Sequence, residues 1–234
     1  MKNRFLLLSL FIMGLLFATS VQAEEETRDV SSFSEISLRV SATLHLTQGG
    51  EQNIRVVAEQ SALEELITEV NGNKLIIRFP SMNIFHGNFN PGKVEIYVTV
   101  PDISALGVSG SGDIFAKKLD ARIIDLAVSG SGNIEINDLK SDKVKGAISG
   151  SGNISIDGKE VADELNVTIS GSGSFKASGF EANTINVSTA GSGNCNVRSN
   201  GSIKARIAGS GSVYYKGNPS VDASVAGSGR VKSM

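Results

Sequence analysis

Apolar and polar residues alternate with period two along most of the chain, and the alternation itself repeats. Apolar triplets such as Ile124, Leu126, Val128 or Ile185, Val187, Thr189 run into a Gly-Ser-Gly, and a second apolar pair such as Ile134, Ile136 or Cys195, Val197 follows. Period two with many β-branched residues predicts strands with one buried face. Gly-Ser-Gly occurs seven times, with first glycines Gly110, Gly130, Gly150, Gly171, Gly191, Gly209 and Gly227, at intervals of 20, 20, 21, 20, 18 and 18 residues. A fixed period marks a repeat array, not a flexible Gly/Ser linker. One such strand cannot bury its face alone; stacked copies can. The predicted fold is all-β, a right-handed parallel β-helix of about 20-residue coils with Gly-Ser-Gly corners. Each coil reads strand, corner, strand and a more variable connection, stacked about 4.8 Å apart.

Other columns fit this register. Six residues before the corner stand Ser104, Ile124, Val144, Leu165, Ile185, Ile203 and Val221, all expected to point inward. Just after the corner stand Asp113, Asn133, Asn153, Ser174, Asn194, Ser212 and Arg230, an outward column whose amides can form a ladder. Ser109, Ser129, Ser149, Ser170, Ala190, Ala208 and Ala226 precede the corners and make a flat face. Asp125 falls one coil from Lys145, and Lys204 one coil from Asp222, so opposite charges favour this register.

Before the repeats the pattern is less regular. Residues 24 to about 33 read as a polar leader. Strands follow around Ile36, Leu44, Ile54, Leu75 and Val94–Val100, with a short helix or turn over Ser61–Ile67. This region, 24–101, is expected to form either first coils and cap or a separate antiparallel domain, with Pro101 at the boundary and the repeat β-helix over 102–234. Residues 1–23 read as a signal peptide: Lys2 and Arg4, an apolar run, then Val21-Gln22-Ala23 before the cleavage at Glu24. The mature chain is thus expected to be exported, to the periplasm, the outer surface or the medium, without a membrane span.

Composition narrows the chemistry. The net charge of −2 argues against a nucleic-acid partner. The single Cys195 excludes an internal disulfide and any CxxC site, and it sits in an inward column as a small apolar residue. The two histidines, His45 and His86, leave little for a histidine metal site. The corners lack the third glycine or the lysine of nucleotide loops, and their asparagine and serine columns do not supply calcium-binding carboxylates. No catalytic, cofactor or metal residue is therefore assigned. What remains is the segment Pro80–Gly92, where Asn83, Phe85, His86, Asn88, Phe89 and Asn90 gather rings and amides in an aromatic-poor chain. That mixture suits sugar or peptide recognition, or else the rings cover the core.

The chain resembles the head GIN domain of putative auto-transporter adhesins. The resemblance rests on Phe33-Ser34-Glu35-Ile36, Asn73-Lys74-Leu75-Ile76-Ile77, Val98-Thr99-Val100-Pro101 and the Val-Ser-Gly-Ser-Gly-Asn-Ile unit from Val128. It implies an extracytoplasmic β-helical domain with an adhesive role and no catalytic residues. The 234 residues end inside the repeat array, so no translocator barrel is expected within them. The expected function is a non-enzymatic cell-envelope module binding a surface glycan or protein. The alternatives are a polysaccharide-cleaving β-helix enzyme, or a structural protein that self-associates weakly through a β-helix end.

Overall fold

Glycine solves two separate problems at each corner. The first glycine turns with φ between +103° and +132° over the seven repeats, a left-handed conformation that a side chain disfavours. The second glycine lies against the coil before it, and a Cβ on Gly132, Gly152 or Gly173 would overlap the carbonyl oxygen of the preceding coil's second glycine. Stacking is then backbone on backbone. The Gly110 carbonyl accepts the amides of Ser131 and Gly132 at 2.8 and 3.0 Å, and Gly130 accepts those of Ser151 and Gly152, both at 2.9 Å.

In the computed structural model, which describes residues 23–80 and 91–234, this stacking builds a β-solenoid of about six turns. The first strands are β1 (Glu24–Thr27), β2 (Glu35–Leu38), β3 (Thr43–Gln48) and β4 (Asn53–Ala58). Helix α1 (Gln60–Glu65), β5 (Ile67–Asn71), β6 (Lys74–Arg78) and β7 (Glu95–Val100) follow. The repeats then contribute β8 (Ala105–Gly110), β9 (Asp113–Ala116), β10 (Leu119–Asp120), β11 (Ile123–Gly130), β12 (Asn133–Ile136), β13 (Leu139–Lys140) and β14 (Lys143–Gly150). Long strands β15 (Asn153–Gly171) and β16 (Ser174–Gly191) bend around whole coils, followed by β17 (Asn194–Arg198), β18 (Ser202–Gly209), β19 (Ser212–Lys216), β20 (Ser220–Ala226) and β21 (Arg230–Ser233).

Strands before the corners stack in parallel as a first side, and strands after them as a second. The sequence intervals reappear as registers: Asp125 opposite Ala105 and Lys145, Lys145 opposite Asn166, and Lys204 opposite Asn186 and Asp222. The variable connection is a third side. β10 pairs with β13, and Ala162 of β15 with Ala182 of β16, with register shifts nearby. Leu119, Leu139 and Phe180 on this side are fully buried. The 18-residue coils turn more tightly here, passing from β17 to β18 in three residues.

The N-terminal region joins the same stack, out of chain order. β2 lies between β6 and β8, and β3 between β7 and β9, all parallel. Outside them β5 pairs antiparallel with β6, β4 with β7 and β1 with β4. The expected polar leader is thus in part a strand. β1 joins through its backbone while all four of its side chains stay exposed, so alternation could not reveal it. α1 overlaps the expected helical segment, starting one residue earlier and ending two earlier, and buries Ala62 and Leu63 over the core end. The Gln48 amide closes the third side, donating to the Asp120 carbonyl at 2.9 Å and accepting its N–H at 2.7 Å.

Most inward columns are as expected, with three departures. Ser104 is exposed and Ile103 is buried instead, because the first-side strand of that coil starts only at Ala105. Gly146 leaves its inward position without a side chain, and a Cβ there would overlap the Phe175 ring, which fills the space across the core. Val221 and Val225 are exposed on the last described coil, where among the described residues β20 has a neighbour, β18, on one side only. The asparagine ladder forms: Asn133 donates to Asp113 Oδ1 at 2.7 Å, and Asn153 to Asn133 Oδ1 at 2.8 Å. Lys145 and Asp125 pair at 3.8 Å. Asp222, however, takes its ion pair from Arg206 at 3.0 Å rather than from its register partner Lys204, since the longer fork reaches both carboxylate oxygens.

Candidate functional site

Asn83, Phe85, His86, Asn88, Phe89 and Asn90 lie outside the described residues. The chain leaves the first side after Arg78 and returns to the second at Glu95. Immediately after that return, the second side carries a strip that sequence spacing does not show. Tyr97 of β7, His45 of β3 and Phe115 of β9 are register neighbours, with Arg55 of β4 beyond Tyr97. All four are outward and half-buried. The His45 and Tyr97 rings stack at 4.9 Å and 20°, and His45 and Phe115 at 6.2 Å and 26°. The Arg55 guanidinium lies 4.0 Å over the Tyr97 ring, a cation–π contact, and also binds Glu25 at 2.8 Å.

A polar network fixes the strip. Tyr97 donates its hydroxyl to Glu95 at 2.8 Å, and Lys93 binds Glu95 at 2.6 Å. Lys93, then Tyr97, hold the Glu95 carboxyl below its ordinary range, and Glu95 in turn raises both the Lys93 ammonium and the Tyr97 phenol. The rings stack on each other, so a ligand meets their edges, the phenol, the imidazole nitrogens and the guanidinium. Tyr and Arg in a clustered, partly desolvated patch are what interface hot spots are made of. The residues escape a 20-residue reading because they come from coils stacked out of chain order.

One other surface and one buried group were candidates. A shallow trough of about 570 Å³ on the first side is floored by Gly107, Ser109, Ala127, Ser129, Ala147 and Ser149. Its carboxylates, Glu35 and Asp125, are held by Lys74 at 3.1 Å and Lys145 at 3.8 Å. The same answer of acid by base one coil away recurs at Asp120–Lys140–Glu160, Asp138–Lys159 and Glu181–Arg198. The other candidate, Cys195, is fully buried, and that burial pushes its thiol far up, away from thiolate chemistry. Among the described residues no group of three or more His, Cys, Asp or Glu is placed to hold a metal, and no helix is long and apolar enough to cross a membrane.

Comparison with known proteins places this geometry. No curated protein matches the chain. Among solved structures, a putative adhesin from Bacteroides fragilis NCTC 9343 superposes with a TM-score of 0.84 at 24% identity, covering 92% of this chain and 98% of that one. A putative lipid binding protein from Parabacteroides distasonis ATCC 8503 gives 0.76 at 24% identity, with the same 92% and 98% coverage. A putative adhesin from Parabacteroides merdae ATCC 43184 gives 0.69 at 20%, covering 92% and 97%. These likenesses establish a shared solenoid fold. The model of the family described as putative auto-transporter adhesin, head GIN domain, matches residues 32–219, and the chain belongs to that family.

Proposed function

We propose that this protein is a non-enzymatic, exported cell-envelope module that binds a surface glycan or surface protein by shape. The observation that carries the reading is the Arg55–Tyr97–His45–Phe115 strip, a row of rings held outward on a stiff backbone stack. We assign Asn83, Phe85, His86, Asn88, Phe89 and Asn90 of the 80–92 segment to the same recognition surface, because the described chain that follows them leads directly into β7, which carries Tyr97. Charge chemistry supports binding over catalysis. The carboxylates with displaced pKa, Glu95 and Asp222, are both pushed down, the direction opposite to a general acid's.

The test is binding of the purified protein to a glycan array and to intact bacterial cells. Tyr97→Ala with Phe115→Ala is expected to lower binding at least about 30-fold, the scale of a lost hot spot. Phe85→Ala with Phe89→Ala is expected to lower it as well. Binding by both double variants equal to that of the wild type would overturn the reading. Depolymerisation of a polysaccharide panel, lost in Glu35→Gln or Asp125→Asn, would establish the enzyme alternative. An exported protein whose first residue is Glu24, read by mass spectrometry, is the expected product of leader cleavage.

A further inference from the structure

Inward columns that stay buried through the array open to solvent on the last coil. Ile203 and Ile207 of β18 are 1% and 3% exposed, whereas their register partners on β20, Val221 and Val225, are 38% and 40% exposed. Among the described residues β20 pairs with β18 alone, so its other edge is unpaired. An open apolar edge of this kind is a template for another strand. The opposite end of the solenoid offers no match: α1 turns Ala62 and Leu63 inward and shows Gln60, Ser61, Glu64 and Glu65 to solvent.

What matches β20 is β20 itself. In Ser220-Val221-Asp222-Ala223-Ser224-Val225-Ala226 the valines are symmetric about Ala223. In an antiparallel pair centred there, Val221 lies opposite Val225 of the partner subunit, and Ala223 opposite its own copy. The inward columns then continue across the seam. On the outer face each Asp222, already held by Arg206 at 3.0 Å, meets a serine hydroxyl and not a carboxylate. A one-residue slip would set Val225 against Asp222 or Ser220, and a two-residue slip in one direction would set Asp222 against Asp222. Apolar pattern and charge therefore select one register.

We propose that β20 is the seam of a symmetric dimer of this chain, paired antiparallel about Ala223. Such a twofold contact uses the same patch on both copies and closes on itself without forming fibres. One strand pair buries little surface, so the dimer dissociates on dilution.

Cysteine scanning of the full chain tests the register. Ala223→Cys is expected to yield a disulfide-linked dimer on mild oxidation at high protein concentration, while Ser220→Cys, which faces Ala226 of the partner subunit, yields none. Cross-linking of both or of neither would overturn the proposal. Ser224→Asp sets a carboxylate opposite Asp222 across the seam, yet places it beside Arg206 within its own chain. It is expected to keep the monomer's thermal midpoint and shift the dimer equilibrium toward monomer in light scattering. A wild-type protein that stays monomeric at all concentrations, or a Ser224→Asp dimer as strong as the wild type's, would also overturn it.

Discussion

The two ends of the solenoid are built from the same strand geometry and finished differently. At the N-terminal end the parallel stack is closed by strands that reverse direction, by α1 over the core and by the Gln48 amide on the third side. At the other end β20 and β21 repeat the internal coil, and all of β20 is exposed. A strand in mid-stack is held from both sides, whereas one at an open end can fray away from a local conflict. Equivalent changes at the two places should therefore differ in cost.

The corners provide the largest contrast. Gly152→Ala drives a Cβ into the Gly132 carbonyl, and Gly229→Ala into that of Gly211. The first is expected to cost about 3 kcal/mol or more, because neighbouring coils fix it on both sides. The second is expected to cost less than about 1 kcal/mol, because the end coil can move away. Denaturant melts of both variants check this; equal losses would remove the distinction between the ends. The caps come next. Leu63→Ala, on the buried face of α1, should cost about 2–3 kcal/mol by opening a cavity, and Val225→Ala, measured in dilute protein, less than about 1 kcal/mol because that side chain already meets water. A smaller effect runs the other way. Thr189 stands in an inward column at 2% exposure, and its hydroxyl has no hydrogen-bond partner among the described residues. Thr189→Val keeps the shape and is expected to raise stability by about 1–2 kcal/mol.

Acid sharpens the contrast with the smallest signal. Arg206 holds the Asp222 carboxyl below its ordinary 3.8. A depressed carboxyl stabilises the folded coil above the unfolded group's titration range and loses that contribution as pH falls through the folded value. Exchange at β20 amides, corrected for the intrinsic rate, is expected to quicken below about pH 4, before β14 or β15 respond. A uniform response along the stack would contradict this.

Much of the central architecture was legible from Gly-Ser-Gly spacing, since the intervals between corners are the registers between strands. The asparagine ladder and the Asp125–Lys145 pair followed from the same count. The third side was partly hidden: Leu119, Leu139 and Phe180 are buried nine residues after a corner glycine, but Lys159 and Asn200 at the same count are exposed, with register shifts near Asp157 and Glu181. β1 was hidden because it buries no side chain: backbone pairing with β4 and the Glu25–Arg55 ion pair hold it. The ring strip was hidden because coils stacked out of chain order bring residues 45, 55, 97 and 115 together at separations that no single repeat displays. Arg206 displaced Lys204 at Asp222 through side-chain reach, which register counting does not weigh.

Native-state hydrogen exchange at two protein concentrations tests the contrast between the ends most directly. In dilute protein the account predicts slow exchange from β2 through β18, slow exchange at the paired amides of β4 beneath the N-terminal cap, and fast exchange at β20. In concentrated protein β20 becomes protected while the rest of the stack is unchanged. Equal protection of β4 and β20 in dilute protein, or a β20 signal that ignores concentration, would contradict it.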